Sequence, residues 1–180
     1  MARAAKLKYD PDYIEKVAHA CVGADESVFR ILYYDCARFV GTVKLPVTNA
    51  HHEFKADDQW LKDLAAKDLF AVRRGVLKFR GGKPKKIPLT KMPITDADFA
   101  PDFEQKGVDM RIGLDMASFS ERRSVERVIL VSGDTDCVPA MKHARKAGLQ
   151  VVLISLPNGR NIPELVWHSD FDRRIAWPAP

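Results

Sequence analysis

The sequence predicts an α/β fold in which a mostly parallel central sheet is flanked by helices. Two observations predict it. Arg127–Pro157 (RVILVSGDTDCVPAMKHARKAGLQVVLISLP) reads as strand, helix and strand, the βαβ unit in which the strands run parallel and the crossover is right-handed. Upstream of it, stretches with apolar residues at helical spacing alternate with short runs rich in β-branched and aromatic residues. In such sheets chemistry sits beyond the carboxyl ends of the strands, and Asp134 and Asp136 fall on that rim.

The elements follow in order. Asp10-Pro11 has the form of an N-cap with a proline at the first helical position, and Ile14, Val17, Ala18 and Cys21 recur at helical spacing, so 11–22 is an amphipathic helix. Val28–Tyr34 (VFRILYY) is the next strand and ends at Asp35, an acid that either joins a rim site or caps the following turn. Residues 38–54, with Gly41, Pro46 and Asn49, read as a loop, and His51-His52 within it lacks a third metal ligand at usual spacing. Residues 57–70 form a second helix capped by Asp57 or Asp58, with Trp60, Leu61, Leu64 and Ala65 inward.

Residues 71–80 (AVRRGVLKFR) read as a strand near the sheet edge, opening into a long connection over 81–106 with Lys83, Lys85, Lys86 and Lys91 among prolines. A connection of that length is commonly functional or disordered. Its charge suits contacts to backbone phosphates, although a solvated loop explains it equally. Phe79 and Phe99 look too isolated to form a stacking platform.

Lys106–Ser120 (KGVDMRIGLDMASFS) reads as a largely buried helix, with Val108, Ile112, Leu114, Met116, Ala117 and Phe119 apolar. Asp109 sits in its first turn, where the helix N-terminus stabilises a carboxylate. Asp115 lies six residues on, about 240° around at ~100° per residue, so the two acids do not share a face. Asp109 is the better site candidate and Asp115 the weaker one, an exposed or salt-bridged acid. In the βαβ unit, Val128–Val131 and Val151–Leu156 are buried strands, Pro139 starts a helix carrying Met141 and Ala144 inward, and Gly148 ends it. Ile162–His168 is a short helix with Leu165, Val166 and Trp167 partly buried, and Ile175–Trp177 forms a last edge strand.

Composition sets limits on function. The chain has 180 residues, enough for a single core and one domain over 1–180. Twenty-nine basic against twenty-four acidic residues leave a net charge of +5 and a pI near 9.1, which permits a phosphate-bearing partner without demanding one. Cys21, Cys36 and Cys137 lack paired spacing and read as free thiols of a reducing, cytoplasmic compartment. No apolar run approaches the ~20 residues that span a bilayer. No repeat marks a second domain, and homo-oligomerisation is left open.

Three carboxylates, Asp109, Asp134 and Asp136, are thus expected at one end of the sheet. Clustered carboxylates repel unless a cation neutralises them. A hard divalent ion, Mg²⁺ or Mn²⁺, fits an all-oxygen set better than zinc does. Such an ion activates water and stabilises charge on a phosphodiester under in-line attack. Read by spacing alone, SGDTD serves equally as a turn and helix cap.

Ser132-Gly133-Asp134-Thr135-Asp136, followed by Pro139 and a helix ending at Gly148, resembles the signature of the NYN-domain family, LabA-like within the PIN-like nucleases. Lys106-Gly107-Val108-Asp109, leading to Ile112 and Asp115-Met116, is similar to that family's second motif. Arg74-Gly75-Val76-Leu77-Lys78 and Ile31–Asp35 fit its connecting strands. The resemblance runs from about Val28 to Trp177. It implies a PIN-like three-layer sandwich and metal-dependent cleavage of RNA, single-stranded by expectation. Asp109, Asp134 and Asp136 would be the catalytic and metal-holding acids, with Asp115 and Asp35 as weaker ligands. Ser132, Lys106, Arg80, Lys83, Lys85 and Lys86 would contact RNA. The family's opening strand, ending in Asp-Gly-x-Asn, has no counterpart in Met1–Lys8, so a fragment, a late start or an absent strand is expected. Two alternatives stand beside the ribonuclease: a catalytically silent RNA-binding or oligomerisation module, and a haloacid-dehalogenase-type phosphatase, whose early Asp-x-Asp is not met by Asp35-Cys36-Ala37.

Overall fold

The computed structural model describes residues 10–89, 92–157, 159–160 and 162–179. Met1–Lys8 and Lys91, read above, lie outside them. In chain order the elements are α1 (Pro11–Ala20), β1 (Ile31–Cys36), β2 (Gly41–Lys44), β3 (His51–Phe54), α2 (Gln59–Ala65), β4 (Phe70–Pro84), β5 (Phe99–Lys106), α3 (Val108–Arg122), β6 (Arg127–Leu130), α4 (Val138–Lys146), β7 (Gln150–Ser155), α5 (Pro163–Trp167) and β8 (Phe171–Arg174). One 3-10 turn, Asp96–Asp98, precedes β5, and another, Thr135–Cys137, leads into α4.

The expected βαβ unit forms, and its strands are parallel: β6 pairs with β7, and β7 with β8. Alternation along β7 distributes its apolar run to two layers. Val151 and Leu153 join Met116, Leu130, Met141, Ala144 and Leu165 in a core under α3, α4 and α5. Val152 and Ile154 face the other way, onto Cys21 and Ile175 with Val17 of α1 beside them. Helices therefore cover both faces of this sheet, which is why its strands are apolar throughout rather than alternating.

The expectation of one mostly parallel central sheet holds only in part. Among the described residues there are three sheets, ordered β1-β4-β5, β2-β3 and β6-β7-β8. The first is mixed: β1 runs parallel to β4 from Ile31↔Phe70 to Cys36↔Gly75, and β5 then pairs antiparallel with β4 from Val76↔Lys106 to Pro84↔Phe99. β4 thus lies in the middle of its sheet rather than near an edge, and it outruns β1 by the whole length of its pairing with β5. The connection expected over 81–106 is correspondingly half strand. Where 38–54 was expected to be loop, β2 and β3 form an antiparallel hairpin, Gly41↔Phe54 to Lys44↔His51, and both His51 and His52 are exposed on β3.

Packing explains the hairpin. Phe39 and Phe54 meet Phe79 and Phe103, with ring centroids 5.5 to 6.1 Å apart. Phe79 is therefore not isolated; four phenylalanines remote in sequence cement β2-β3 against the β4-β5 pair. Other corrections are local. The last strand is Phe171–Arg174 rather than 175–177, because Ile175 is buried against β7 and α1 instead. Leu114 is 62% and Trp167 73% exposed, so neither joins the core. Trp60 packs on Tyr33 at 5.7 Å, while Leu61 and Leu64 are the buried residues of α2.

Gly75 stands where β1, β4 and the start of α3 converge. A Cβ there would lie 2.7 Å from Cys36 Sγ, 2.8 Å from the Lys106 carbonyl oxygen and 2.8 Å from Val108 Cγ2. Only glycine allows those three segments to approach so closely.

Candidate metal centre

The site is built at two helix starts. β6 ends at Leu130, and the chain crosses Val131–Gly133 to Asp134, whose backbone is extended (φ −107°, ψ 122°) and caps the 3-10 turn Thr135–Cys137. Two hydrogen bonds shape this loop: the Asp134 N–H donates to Ser132 Oγ at 3.0 Å, and the Asp136 N–H donates to Asp134 Oδ1 at 2.9 Å. The turn-and-cap reading of SGDTD is therefore realised. The cap occupies Oδ1 of Asp134 and fixes the direction of the carboxyl group.

Asp109 arrives from the other side. β5 ends at Lys106, Gly107 takes a left-handed conformation (φ 78°), and α3 starts with Asp109 in its first turn. The glycine lets a strand turn directly into a helix, and the helix N-terminus favours the carboxylate there. α3 packs against α4, which brings the two helix starts side by side. As a result Asp109, Asp134 and Asp136 each offer a carboxylate oxygen, and these oxygens all lie within 4.8 Å of one another. All three residues are exposed.

The other acids considered do not enter this group. Asp115 lies on the same helix but is held by Arg73, through Nε at 2.8 Å and Nη2 at 2.5 Å, and by the Tyr34 hydroxyl at 2.9 Å. Asp35 accepts from the Cys36 N–H at 2.7 Å and is not among the three converging acids. Nearby thiols are neutral: burial above all pushes both Cys137 and Cys36 up, and the charges of Asp134, Asp109 and Asp136 push Cys137 further. A protonated thiol is neither a metal ligand nor a nucleophile. The available donor set is carboxylate oxygen, which suits a hard divalent cation.

The cations expected to meet RNA fall on and beyond the β4-β5 pair. Lys106 and Arg80 both pair with Glu104, the latter at 2.9 Å, Lys83 pairs with Asp102 at 3.0 Å, and Lys85 donates to the Ala97 carbonyl at 2.8 Å. Lys86 is exposed. Ser132 is committed as an acceptor within its loop, with its hydroxyl proton still available to donate. Sequence reasoning missed Arg73 and Tyr34 as the partners of Asp115. The only signal for them was β alternation, which puts 73 on the same side of β4 as 75, 77 and 79.

A family model described as NYN domain matches residues 60–169. The chain belongs to the NYN-domain family. The match includes all three converging acids, both helix starts and the β4-β5 pair. NYN domains are a nuclease-fold family, generally acting on RNA, and typically use divalent metals. Among solved structures, a protein of unknown function from Vibrio parahaemolyticus is similar, with a TM-score of 0.52 and 18% identity over 97% of this chain and 83% of that one. This likeness concerns the fold. No match was found among curated proteins. Among the described residues of this NYN protein, no helix is long and apolar enough to cross a membrane.

Proposed function

We propose that this NYN domain is a metal-dependent ribonuclease, LabA-like within its family, that hydrolyses phosphodiester bonds of single-stranded RNA. The observation that carries the reading is the convergence of Asp109, Asp134 and Asp136 from two distant helix starts to within 4.8 Å. Three carboxylates so close favour a bound cation over mutual repulsion. Mg²⁺ or Mn²⁺ held by them supplies an activated water and charge stabilisation at the scissile phosphate. The chain's own part is positional. Asp134 is oriented by its hydrogen bond from the Asp136 N–H, Asp109 stands in the first turn of α3, and Asp136 stands in the 3-10 turn that leads into α4. In this reading the Ser132 hydroxyl and the side chains of Lys106, Arg80, Lys83, Lys85 and Lys86 would meet phosphate oxygens, the paired cations by exchanging their carboxylate partners for phosphate. We take the protein to be cytoplasmic and of one domain; its three cysteines are free and buried, as a reducing compartment keeps them. Asp35 and Asp115, as weaker ligands, would act only after side-chain rearrangement.

The test is cleavage of end-labelled single-stranded RNA with Mn²⁺ by the wild type and by Asp134→Asn. Metal-dependent cleavage by the wild type and none by the variant supports the reading. Equal cleavage by both removes Asp134 from the mechanism. Binding by both without cleavage identifies a silent RNA-binding module instead.

A further inference from the structure

β4 outruns the sheet it belongs to. Its partner β1 ends at Cys36, opposite Gly75, yet β4 continues to Pro84 with β5 alongside. The two strands therefore project past the carboxyl end of β1 as an arm roughly 25 Å long at ~3.3 Å per residue. The arm's base is Val76 opposite Lys106, and Asp109 of the acidic cluster follows Lys106 by three residues. A ribbon rooted at the cluster is thus the nearest extended surface to it along the chain.

Its two faces differ. Phe79 and Phe103 turn onto Phe39 and Phe54, so the β2-β3 hairpin covers one side. Further along, a Cβ on Gly82 would touch Pro46 Cγ at 3.0 Å, and Asp96 accepts from the Val47 N–H at 2.8 Å and the Thr48 hydroxyl at 2.6 Å. The arm is braced along its length. The opposite face, set by the pairs Val76↔Lys106 and Lys78↔Glu104 and re-aimed by a bulge between Phe79 and Gly81, carries Lys78, Arg80, Lys83 and Lys106 against Glu104 and Asp102. Lys78 is exposed and makes no ion pair among the described residues. Residues 70–106 hold nine basic and four acidic side chains, a surplus equal to the net charge of the whole chain, +5. That surplus counts the loop between the strands and the start of β4 as well; the ribbon itself, 76–84 with 99–106, carries four basic and two acidic side chains.

We propose that the outer face of the β4-β5 arm is the track on which the RNA backbone lies as it reaches Asp109, Asp134 and Asp136, held through phosphates by Lys78 with Arg80, Lys83 and Lys106, without selection of bases. The inference rests on the ribonuclease reading for its choice of RNA. Base-blindness follows from the arm's construction: Phe79 and Phe103 are spent on the hairpin side, so Lys78, Arg80, Lys83 and Lys106 on the outer face offer charge rather than rings. Affinity from such a face is electrostatic and falls with salt.

Binding of fluorescein-labelled 20-mer oligo(A) and oligo(U) RNA is measured by anisotropy in EDTA, which separates binding from turnover, at several salt concentrations. The wild type is compared with Lys78→Glu, Lys78→Ala and, as a control cation on α2, Lys62→Glu; circular dichroism checks folding of each. The expected result is similar affinity for both homopolymers, about a tenfold loss at low salt for Lys78→Glu, a smaller loss for Lys78→Ala with a shallower salt dependence by about 0.7, and little change for Lys62→Glu. Unchanged affinity in folded Lys78→Glu overturns the track, as does a strong preference for one homopolymer or an absence of RNA binding by the wild type. Tighter binding of the matching DNA oligomers than of RNA also counts against it. If the wild type binds in this pattern but Mn²⁺ elicits no cleavage, the arm stands and the ribonuclease reading falls.

Discussion

Arg73 grips Asp115 with two nitrogens while the Tyr34 hydroxyl donates to the same carboxylate, so one acid ties β4 and β1 to α3. Burial and then the hydrogen bond to Asp115 push the Tyr34 phenol well above its ordinary range, which keeps it a donor. The Arg73 side chain is 44% and the Asp115 side chain 15% exposed, so the pair is shielded but not sealed. Asp115→Asn should lower unfolding stability by roughly 1–3 kcal/mol, the cost of weakening charge-assisted bonds at a part-buried site. It should reduce Mn²⁺-dependent cleavage far less than Asp109→Asn does. Urea unfolding and RNA cleavage on the same samples check this; an equal loss of cleavage at unchanged stability would place Asp115 in the chemistry.

Asp109→Asn and Asp134→Asn should each abolish metal-dependent cleavage while the fold persists. In Asp134→Asn the side-chain amide keeps an oxygen to accept from the Asp136 N–H, so the loop holds its shape. Removing one of three clustered like charges should leave melting temperature without metal unchanged or slightly raised. Manganese should raise the wild-type melting temperature by linkage and leave both variants unmoved. A metal-induced shift in the variants as large as in the wild type would contradict the site.

Glu26 makes an acid-sensitive contact between α1's end, β6 and β8. Its carboxylate accepts from Arg173 at 2.7 and 2.8 Å, from the Gly23 N–H at 2.5 Å and from Arg127. Arg173 above all, then Gly23 and Arg127, hold its carboxyl far below the ordinary range against the opposing effect of burial. A depressed pKa means that the stabilisation is complete above the unfolded value, about pH 4.3 for Glu, and drains away as pH falls below it. The stability gap between wild type and Glu26→Gln, from urea midpoints between pH 3 and 7, should be flat above about pH 5 and narrow below about pH 4. A gap that widened on acidification would reverse the assignment.

Gly75→Ala should be severely destabilising. The added methyl group meets a sulfur, a backbone oxygen and a methyl group, each under 3 Å away, and relief requires moving β1 or the β5-α3 junction. Overpacking of this kind costs roughly 1–3 kcal/mol. Because the junction carries Asp109, cleavage at a temperature where the variant remains folded should also fall. Full activity in the folded variant would show that the junction does not position the acid.

Much of this molecule is legible in order along the chain. The βαβ unit declares itself because β7 is buried on both faces and so reads as an unbroken apolar run, and because Pro139 and Gly148 bracket α4. Asp134 and Asp136 are separated by one residue at a strand end, and Asp109 follows a glycine at a helix start, so each can be nominated locally. Asp115 is displaced from Asp109 by helix geometry alone. The β2-β3 hairpin is another matter. Its strands have four residues each and mixed polarity, too little pattern to signal a strand, and it exists because Phe39 and Phe54 find Phe79 and Phe103. β5 was hidden likewise, since its partner is the far half of a strand that begins in another pairing.

Periodicities, caps and breaks that put each carboxylate at the mouth of an element can be read from the chain, because they depend on neighbours within a few residues. Folding in three dimensions brings Asp109 to Asp134 and Asp136, hands Asp115 to Arg73 and divides β4 between two partners. Those outcomes depend on helix-to-helix packing and on a glycine-sized gap at residue 75, contacts between segments whose separation along the chain carries no trace of their proximity in space.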